Sequence, residues 1–520
     1  MGKVTKRCLL LFLLVLAAVG QLQAGSAKVK YPGGKCYMYR LYLKDKAANG
    51  FSLQHPEQFL SPKALERRRR QGLQLDSTDL PVSQRYVEQV RSQGVEVVGR
   101  SKWNNTLLVR GNSQKTLRAL ASLPFVRRAV KVWTSPDSLA KPVRLNYRRE
   151  FNEWDTVTQS IYGATEEQIR QLNGIRLHQR GFRGRGMTIA VLDGGFMNAD
   201  QIPCLQTIHL LGTRDFVEPP SKDIFKEMDH GTMVLSAMAV SVPNYFTGTA
   251  PDASYWLLRC EDVQTETLAE EDYWASAAEF ADSVGVDVIN SSLGFHAFDD
   301  AAMNHQYSEL DGHQALISHT ASLLAGKGIV LVSSAGNEGM GTWKKINFPA
   351  DAHDIITVGA ITPKGMNASF SSIGPTADGR IKPDVMAQGS PAAVVTGRGT
   401  IIRDIGTSFS APQVAGLVAC LWQACPQRTA LEIVEAVRRC GNRTDQPDDV
   451  FGYGVPDFMK AYELLKNEAH LSSSPPVPPK GGEGSPNAKE ASPTGEVWWG
   501  QVSPPRGSRR GLPLTPANSR

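Results

Sequence analysis

Three short segments of this chain carry side chains that, brought together, would suit acyl transfer. That chemistry needs a hydroxyl nucleophile, a base within reach of it, a carboxylate to orient the base, and donors for the oxyanion. The run 189–195 (IAVLDGG) reads as a buried strand ending in Asp193, with Gly194 and Gly195 behind it. In open parallel sheets, ligands gather at the carboxyl ends of strands. Asp229-His230-Gly231-Thr232 leads into the apolar run 233–238, so His230 projects from a helix start. Gly406-Thr407-Ser408-Phe409-Ser410-Ala411-Pro412 runs into the apolar stretch 413–424. Ser408 therefore falls near a helix N-terminus, where unpaired N–H groups and the positive dipole end favour an oxyanion. Pro412 fits the first turn, whose donors have no helical partner. Taken singly, each segment also has a plain structural reading: a strand-end carboxylate, a helix-start imidazole, and a capping Ser or Thr at 407, 408 or 410.

The elements that must position these groups fall into two blocks. From residue 166 onward, Val-, Ile- and Ala-rich runs at 187–192, 255–259, 286–291, 329–334 and 355–358 alternate with helical stretches at 232–240, 273–283 and 313–326. Near-continuous apolar strands separated by helices predict an α/β domain with a parallel sheet covered on both faces. Ahead of it, residues 35–133 read as strand 37–43, helix 81–93, strands 95–99 and 106–109, helix 113–123 and strand 126–133, with an arginine-rich helix at 61–71 inserted. Without that insertion the order is βαββαβ, a small α+β unit. Arg67–Arg70 on the inserted helix read as a solvated face.

The chain order Asp193, His230, Ser408 is that of one of the known serine-hydrolase arrangements. On these residues the chain resembles the subtilisin-like serine peptidases (subtilases) over about 184–465. Ser334-Ala335-Gly336-Asn337-Glu338-Gly339 resembles the family's oxyanion segment, which makes Asn337 the side-chain donor beside the Ser408 N–H. Val288-Ile289-Asn290-Ser291-Ser292-Leu293-Gly294 resembles its substrate-binding strand, so Ser292, Leu293 and Gly294, with Gly336, are expected to line an extended peptide. The resemblance implies a triad of Asp193, His230 and Ser408, a secreted endopeptidase working through an acyl-enzyme, and peptide or protein substrates. It also implies that 35–133 is a propeptide acting as intramolecular inhibitor, with the maturation cut in a linker at 134–165 and the peptidase domain at 166–466. No cofactor is required for the chemistry. Structural calcium is common in the family, and Glu261-Asp262 and Glu270-Glu271-Asp272 are candidate acids, though such runs are more often solvated. Three positions depart from the family pattern: Gly194 where Ser or Thr is usual, Met233 where a second His is common, and Gln388 where Pro is usual. Two competing readings are a catalytically silent subtilase fold, which would usually have lost a triad residue, and an ester hydrolase, which would not need the extended strand at Ser292.

Composition agrees with an exported globular protein. The 520 residues are 41% hydrophobic and 21% charged, with a formal net charge of +6, which argues against a many-span membrane protein or a nucleic-acid binder. Residues 1–24 read as a signal peptide, with Lys3, Lys6 and Arg7 before an apolar run and cleavage after Ala24 or Ala27. No later stretch is apolar enough for a membrane segment. Six cysteines remain beyond Cys8, either bridged, for instance from Cys420 or Cys425 to Cys440, or free. Their spacing fits no zinc site. Residues 467–520, rich in Pro, Ser and Gly, read as a disordered tail.

Overall fold

The computed structural model describes residues 28–30, 34–47, 49–140, 147 and 151–471. The signal-peptide expectation, part of the linker and residues 472–520 lie outside the described residues.

The amino-terminal domain is a four-stranded antiparallel sheet. Its strands are β1 (Tyr37–Leu43), β2 (Glu96–Ser101), β3 (Thr106–Gly111) and β4 (Val126–Thr134), in the order β2-β3-β1-β4. Helices α1 (Pro62–Arg70), α2 (Gln84–Arg91) and α3 (Gln114–Ala119) complete it. Leu41, Leu107, Val109, Val87 and Leu117 form the seam where the helices meet the sheet. Ser61 caps α1 by accepting from the Ala64 N–H, and Pro62 occupies a position whose donor has no helical partner. On α2 the face turned inward is Val87 and Val90, with Tyr86 to one side stacked on Phe125.

The second domain is a seven-stranded parallel sheet built from β5 (Thr188–Asp193), β6 (His209–Asp215), β7 (Ser254–Arg259), β8 (Val288–Ser291), β9 (Val330–Ser334), β10 (Ile356–Ile361) and β11 (Val385–Gln388). Their order is β11-β10-β9-β8-β5-β7-β6, and every adjacent pair is parallel. All six residues of β5 are buried, as suits a central strand covered on both faces. One face carries α4 (His230–Ala239) and α7 (Thr407–Ala424), the other α5 (Ala269–Val284) and α6 (Leu316–Leu323). Two further helices, α8 (Ala430–Arg439) and α9 (Phe458–Leu471), close the carboxyl-terminal side. Helix α9 thus extends five residues into the stretch expected to be tail. Gly416 lets α7 approach the chain at Thr249, since a Cβ there would sit 2.0 Å from the Thr249 Oγ1.

Two surface readings are overturned where the domains meet on α5. Arg67 and Arg68 are buried rather than solvated: Arg67 pairs with Asp282 at 2.5 Å, and Arg68 bridges Asp282 at 2.9 Å and Asp79 at 2.8 Å. Lys102 adds a third cation to Asp282 at 2.9 Å. These cations, outweighing its burial, hold the Asp282 carboxyl far below the usual carboxylate range. The acidic run at the start of α5 is buried too. Arg40 reaches Asp272 at 2.7 Å and Glu271 at 3.1 Å, while Glu270 accepts from the Asp262 and Thr267 N–H groups. Glu279 accepts from the Ser101 hydroxyl and the Lys102 and Trp103 N–H groups at 2.5, 2.7 and 3.0 Å. Cys36, Cys260, Cys420, Cys425 and Cys440 are free thiols. Among the described residues, no cluster of His, Cys, Asp and Glu is arranged to hold a metal ion.

Candidate active site

Because β8, β5 and β7 are neighbours, three chain ends converge at one edge of the sheet: Ser292 after β8, Asp193 at the end of β5, and Glu261 just beyond β7. Asp193 is fully buried. Its Oδ1 accepts from the Gly194 N–H at 2.9 Å. Arg259, itself paired with Asp215 at 3.0 Å, donates to the Gly194 carbonyl and so fixes the turn behind the strand. His230, the first residue of α4, donates from Nδ1 to the two Asp193 oxygens at 2.9 and 3.0 Å, which leaves Nε2 for the cleft. Burial pulls the imidazole pKa down. The charge and hydrogen bond of Asp193, with Glu261 and Asp229 behind them, outweigh it and raise His230 to about 9.

Ser408 is the second residue of α7. Its hydroxyl donates to the Ser292 carbonyl at 3.2 Å rather than to His230. In return the Ser292 hydroxyl donates to the Ser408 carbonyl at 2.9 Å. Pro412 explains this second bond. It is the sixth residue of α7, not in the first turn as expected from sequence, and its missing N–H is the one that an α-helix would aim at the Ser408 carbonyl. The buried Ser292 hydroxyl supplies the donor that proline withholds.

Asn337 follows β9. Its Oδ1 accepts from the Thr407 N–H and hydroxyl, both at 3.0 Å, so its NH₂ is the end left to face outward. Gly336 before it has φ +106°, and a Cβ there would stand 2.9 Å from the Ser372 hydroxyl and 3.0 Å from Asn347. Only glycine suits both the backbone and the space. Gly294 is equally tight against Asn347.

His230, Ser292, Leu293, Gly294, Gly336, Asn337 and Ser408 all line one cleft of about 240 Å³, with Asp193 behind His230. The sheet thus brings together every site residue expected from sequence. A larger hollow of about 560 Å³ lies in the amino-terminal domain near Tyr86 and Phe125 and contains none of them.

Among the lining residues that sequence reasoning missed, Met228, Asn347 and Glu261, the one that brings a charge is Glu261. The sequence offers it only as one acid of the pair Glu261-Asp262, a candidate for calcium but more often a solvated run. The signal is there: Glu261 stands two residues beyond the strand Ser254–Arg259, near the end of a run like the one that Asp193 closes, and Gly194 is the family departure that makes room for it. A Cβ on Gly194 would lie 2.4 Å from the Glu261 Oε2. Burial first, and then the neighbouring Asp193, push the Glu261 carboxyl up to about 7.

Residues 184–454 match the subtilase family model, and residues 38–147 match the model of the peptidase S8 propeptide domain of Bacteroidota. Subtilisin NAT of Bacillus subtilis subsp. natto is 27% identical over 303 residues, which cover 58% of this chain and 72% of that protein. The subtilisin-like protease SBT6.1 of Arabidopsis thaliana is 27% identical over 352 residues, 64% of this chain and 30% of that one. The membrane-bound transcription factor site-1 protease of Rattus norvegicus is 27% identical over 331 residues, 60% of this chain and 28% of its own length. The match therefore spans under a third of the two longer relatives.

Proposed function

The chain belongs to the subtilase family, as a subtilisin-like serine endopeptidase preceded by a propeptide domain, and from that premise we propose that Asp193, His230 and Ser408 are its catalytic triad. The observation that carries the proposal is the His230 Nδ1 bond to buried Asp193, which leaves Nε2 for a cleft that also holds Ser408 and Asn337. In the proposed reaction, the Ser408 side chain turns about its Cα–Cβ bond from the Ser292 carbonyl to His230. His230 Nε2 takes the proton, Oγ attacks the peptide carbonyl, and Asp193 stabilises the imidazolium. The Asn337 NH₂ and the Ser408 N–H at the start of α7 stabilise the oxyanion. His230 then returns the proton to the leaving amine, and water cleaves the acyl-enzyme by the same route. The cycle uses no cofactor. Ser292, Leu293, Gly294 and Gly336 seat the extended substrate.

The proposal extends to export by the leader at 1–24 and to inhibition by the amino-terminal domain until the chain is cut. Contacts made by the start of the peptidase domain narrow the cut. Asn152 donates to the Ile401 carbonyl, Asp155 accepts from Tyr245 and the Ile401 N–H, and the Thr158 N–H donates to the Asn244 carbonyl. These contacts favour counting this segment with the catalytic domain, which supports a cut between Thr134 and Asn152.

A second reading, a silent subtilase fold, draws on the Ser408 hydroxyl being bonded to Ser292 instead of His230. Fluorophosphonate labelling of the matured protein, with Ser408→Ala as control, separates the two. Label that depends on Ser408 supports the triad, and its absence refutes it. Amino-terminal sequencing of enzyme collected from the medium locates the cut, and active enzyme that still begins at residue 28 would refute the zymogen reading.

A further inference from the structure

Glu261 is a half-buried carboxylate lining the substrate cleft, and it has no hydrogen bond or ion pair to any described residue. The nearby cation Arg259 is committed to Asp215 and the Gly194 carbonyl. The space Glu261 fills is open because residue 194 has no side chain. Apart from His230, the ionisable groups lining the cleft are Glu261 and Glu338, both acidic. Burial pushes Glu261 up to about 7, so near neutral pH its carboxyl is only partly ionised while the cleft is empty. An arriving cation would favour its charged form.

An extended peptide presents successive side chains to opposite sides. Gly294 and Gly336 close on Asn347 and form one wall of the cleft, where absent side chains leave room for the residue whose carbonyl is attacked. Glu261 lines the same cleft from beyond β7, on the opposite side of β5 from the β8 and β9 ends that carry Gly294 and Gly336, so a substrate with alternating side chains would turn the one a residue earlier toward it. Resting on the triad reading above, we propose that Glu261 is a specificity-determining residue that selects Lys or Arg immediately before the residue whose carbonyl Ser408 attacks. An arginine there would meet the carboxylate through charge-assisted hydrogen bonds at a partly desolvated site.

The test uses matured enzyme and fluorogenic peptides that differ at that one position, Arg, norleucine or Glu, and reads the ratio of kcat/KM values. The wild type should favour Arg over norleucine by about 10- to 100-fold, equivalent to about 1.4–2.7 kcal/mol. Glu261→Gln should bring that ratio close to one, and Glu261→Lys should favour Glu. The ratio is insensitive to any common loss of activity in the variants. A wild-type ratio near one, or a ratio kept in Glu261→Gln, would overturn the proposal while leaving the peptidase reading intact. Equal loss on all peptides would mean that Glu261 acts through His230 and would likewise overturn it. Failure of the wild type to cleave any peptide above a Ser408→Ala control would overturn the triad reading and this inference with it.

Discussion

The Ser292–Pro412 arrangement gives the sharpest prediction about how the nucleophile is held. Replacing Ser292 by Ala removes the hydroxyl that donates at 2.9 Å to the Ser408 carbonyl, and Pro412 cannot replace it. A buried carbonyl left without its donor costs about 1–3 kcal/mol. Only the side chain changes, so the backbone at 292 remains available to substrate. Unfolding is best followed in a Ser408→Ala background, which prevents autolysis and retains the carbonyl in question. At about 2.1 cal/mol/K per residue over a domain of roughly 300 residues, the loss corresponds to a fall in Tm of roughly 2–5 °C. Restoring the helical donor should rescue it: Ser292→Ala with Pro412→Ala should recover most of the loss, whereas Pro412→Ala alone should change little, because Ser292 already serves the carbonyl. If Ser292→Ala melts with the parent, or if Pro412→Ala fails to rescue it, the account of this helix start is wrong.

Four further predictions concern the cleft and the contact on α5. Neutral His230 is the form that accepts a proton, and its pKa is raised to about 9, so the rate of fluorophosphonate labelling should climb as pH rises towards 9. In Asp193→Asn burial is less opposed, the midpoint should move to lower pH, and kcat should fall by about 10⁴ at its plateau, both read from a pH–rate profile. Gly194→Ala sets a methyl group 2.4 Å from the Glu261 Oε2; the flexible carboxylate should move aside, and the preference for Arg should fall as it does in Glu261→Gln, measured with the same peptides. Asp282→Ala leaves Arg67 and Lys102 without their carboxylate in a buried site, and Arg68 with Asp79 alone, and should destabilise the docked amino-terminal domain by about 3–5 kcal/mol, seen as faster proteolysis of the uncut chain.

Asp193, His230 and Ser408 are legible as candidates because each stands where an apolar run stops or starts, Asp193 at the end of a buried strand and His230 and Ser408 at the start of apolar helices, whereas Asn337 is legible only through the resemblance. Periodicity reports such ends directly. It does not report which ends become neighbours, and the meaning of Glu261 depends on β5 lying between β8 and β7. The acids of α5 were misread for a related reason. Their partners lie far away in sequence, with Arg40 and Asp272 separated by 232 positions, so a local reading sees only a charge run. Arg67 and Arg68 suffered the same fate on the other side of the contact. Strand β6 escaped notice because it is a half-exposed edge strand with His209, Thr213 and Arg214 in it, and β11 because it has four residues and follows Pro383.

The row of carboxylates on α5 bears on what happens after the chain is cut. In the proposed maturation, scission would sever a tether while leaving the contacts of Arg40, Arg67, Arg68 and Lys102 with Glu271, Asp272 and Asp282, and of Glu279 with the turn at Ser101, in place. The cleaved fragment would then be a tenant rather than a leaving group. The lag before activity appears would be governed by how fast that fragment dissociates or is digested, and cutting and switching on become two events with separate clocks.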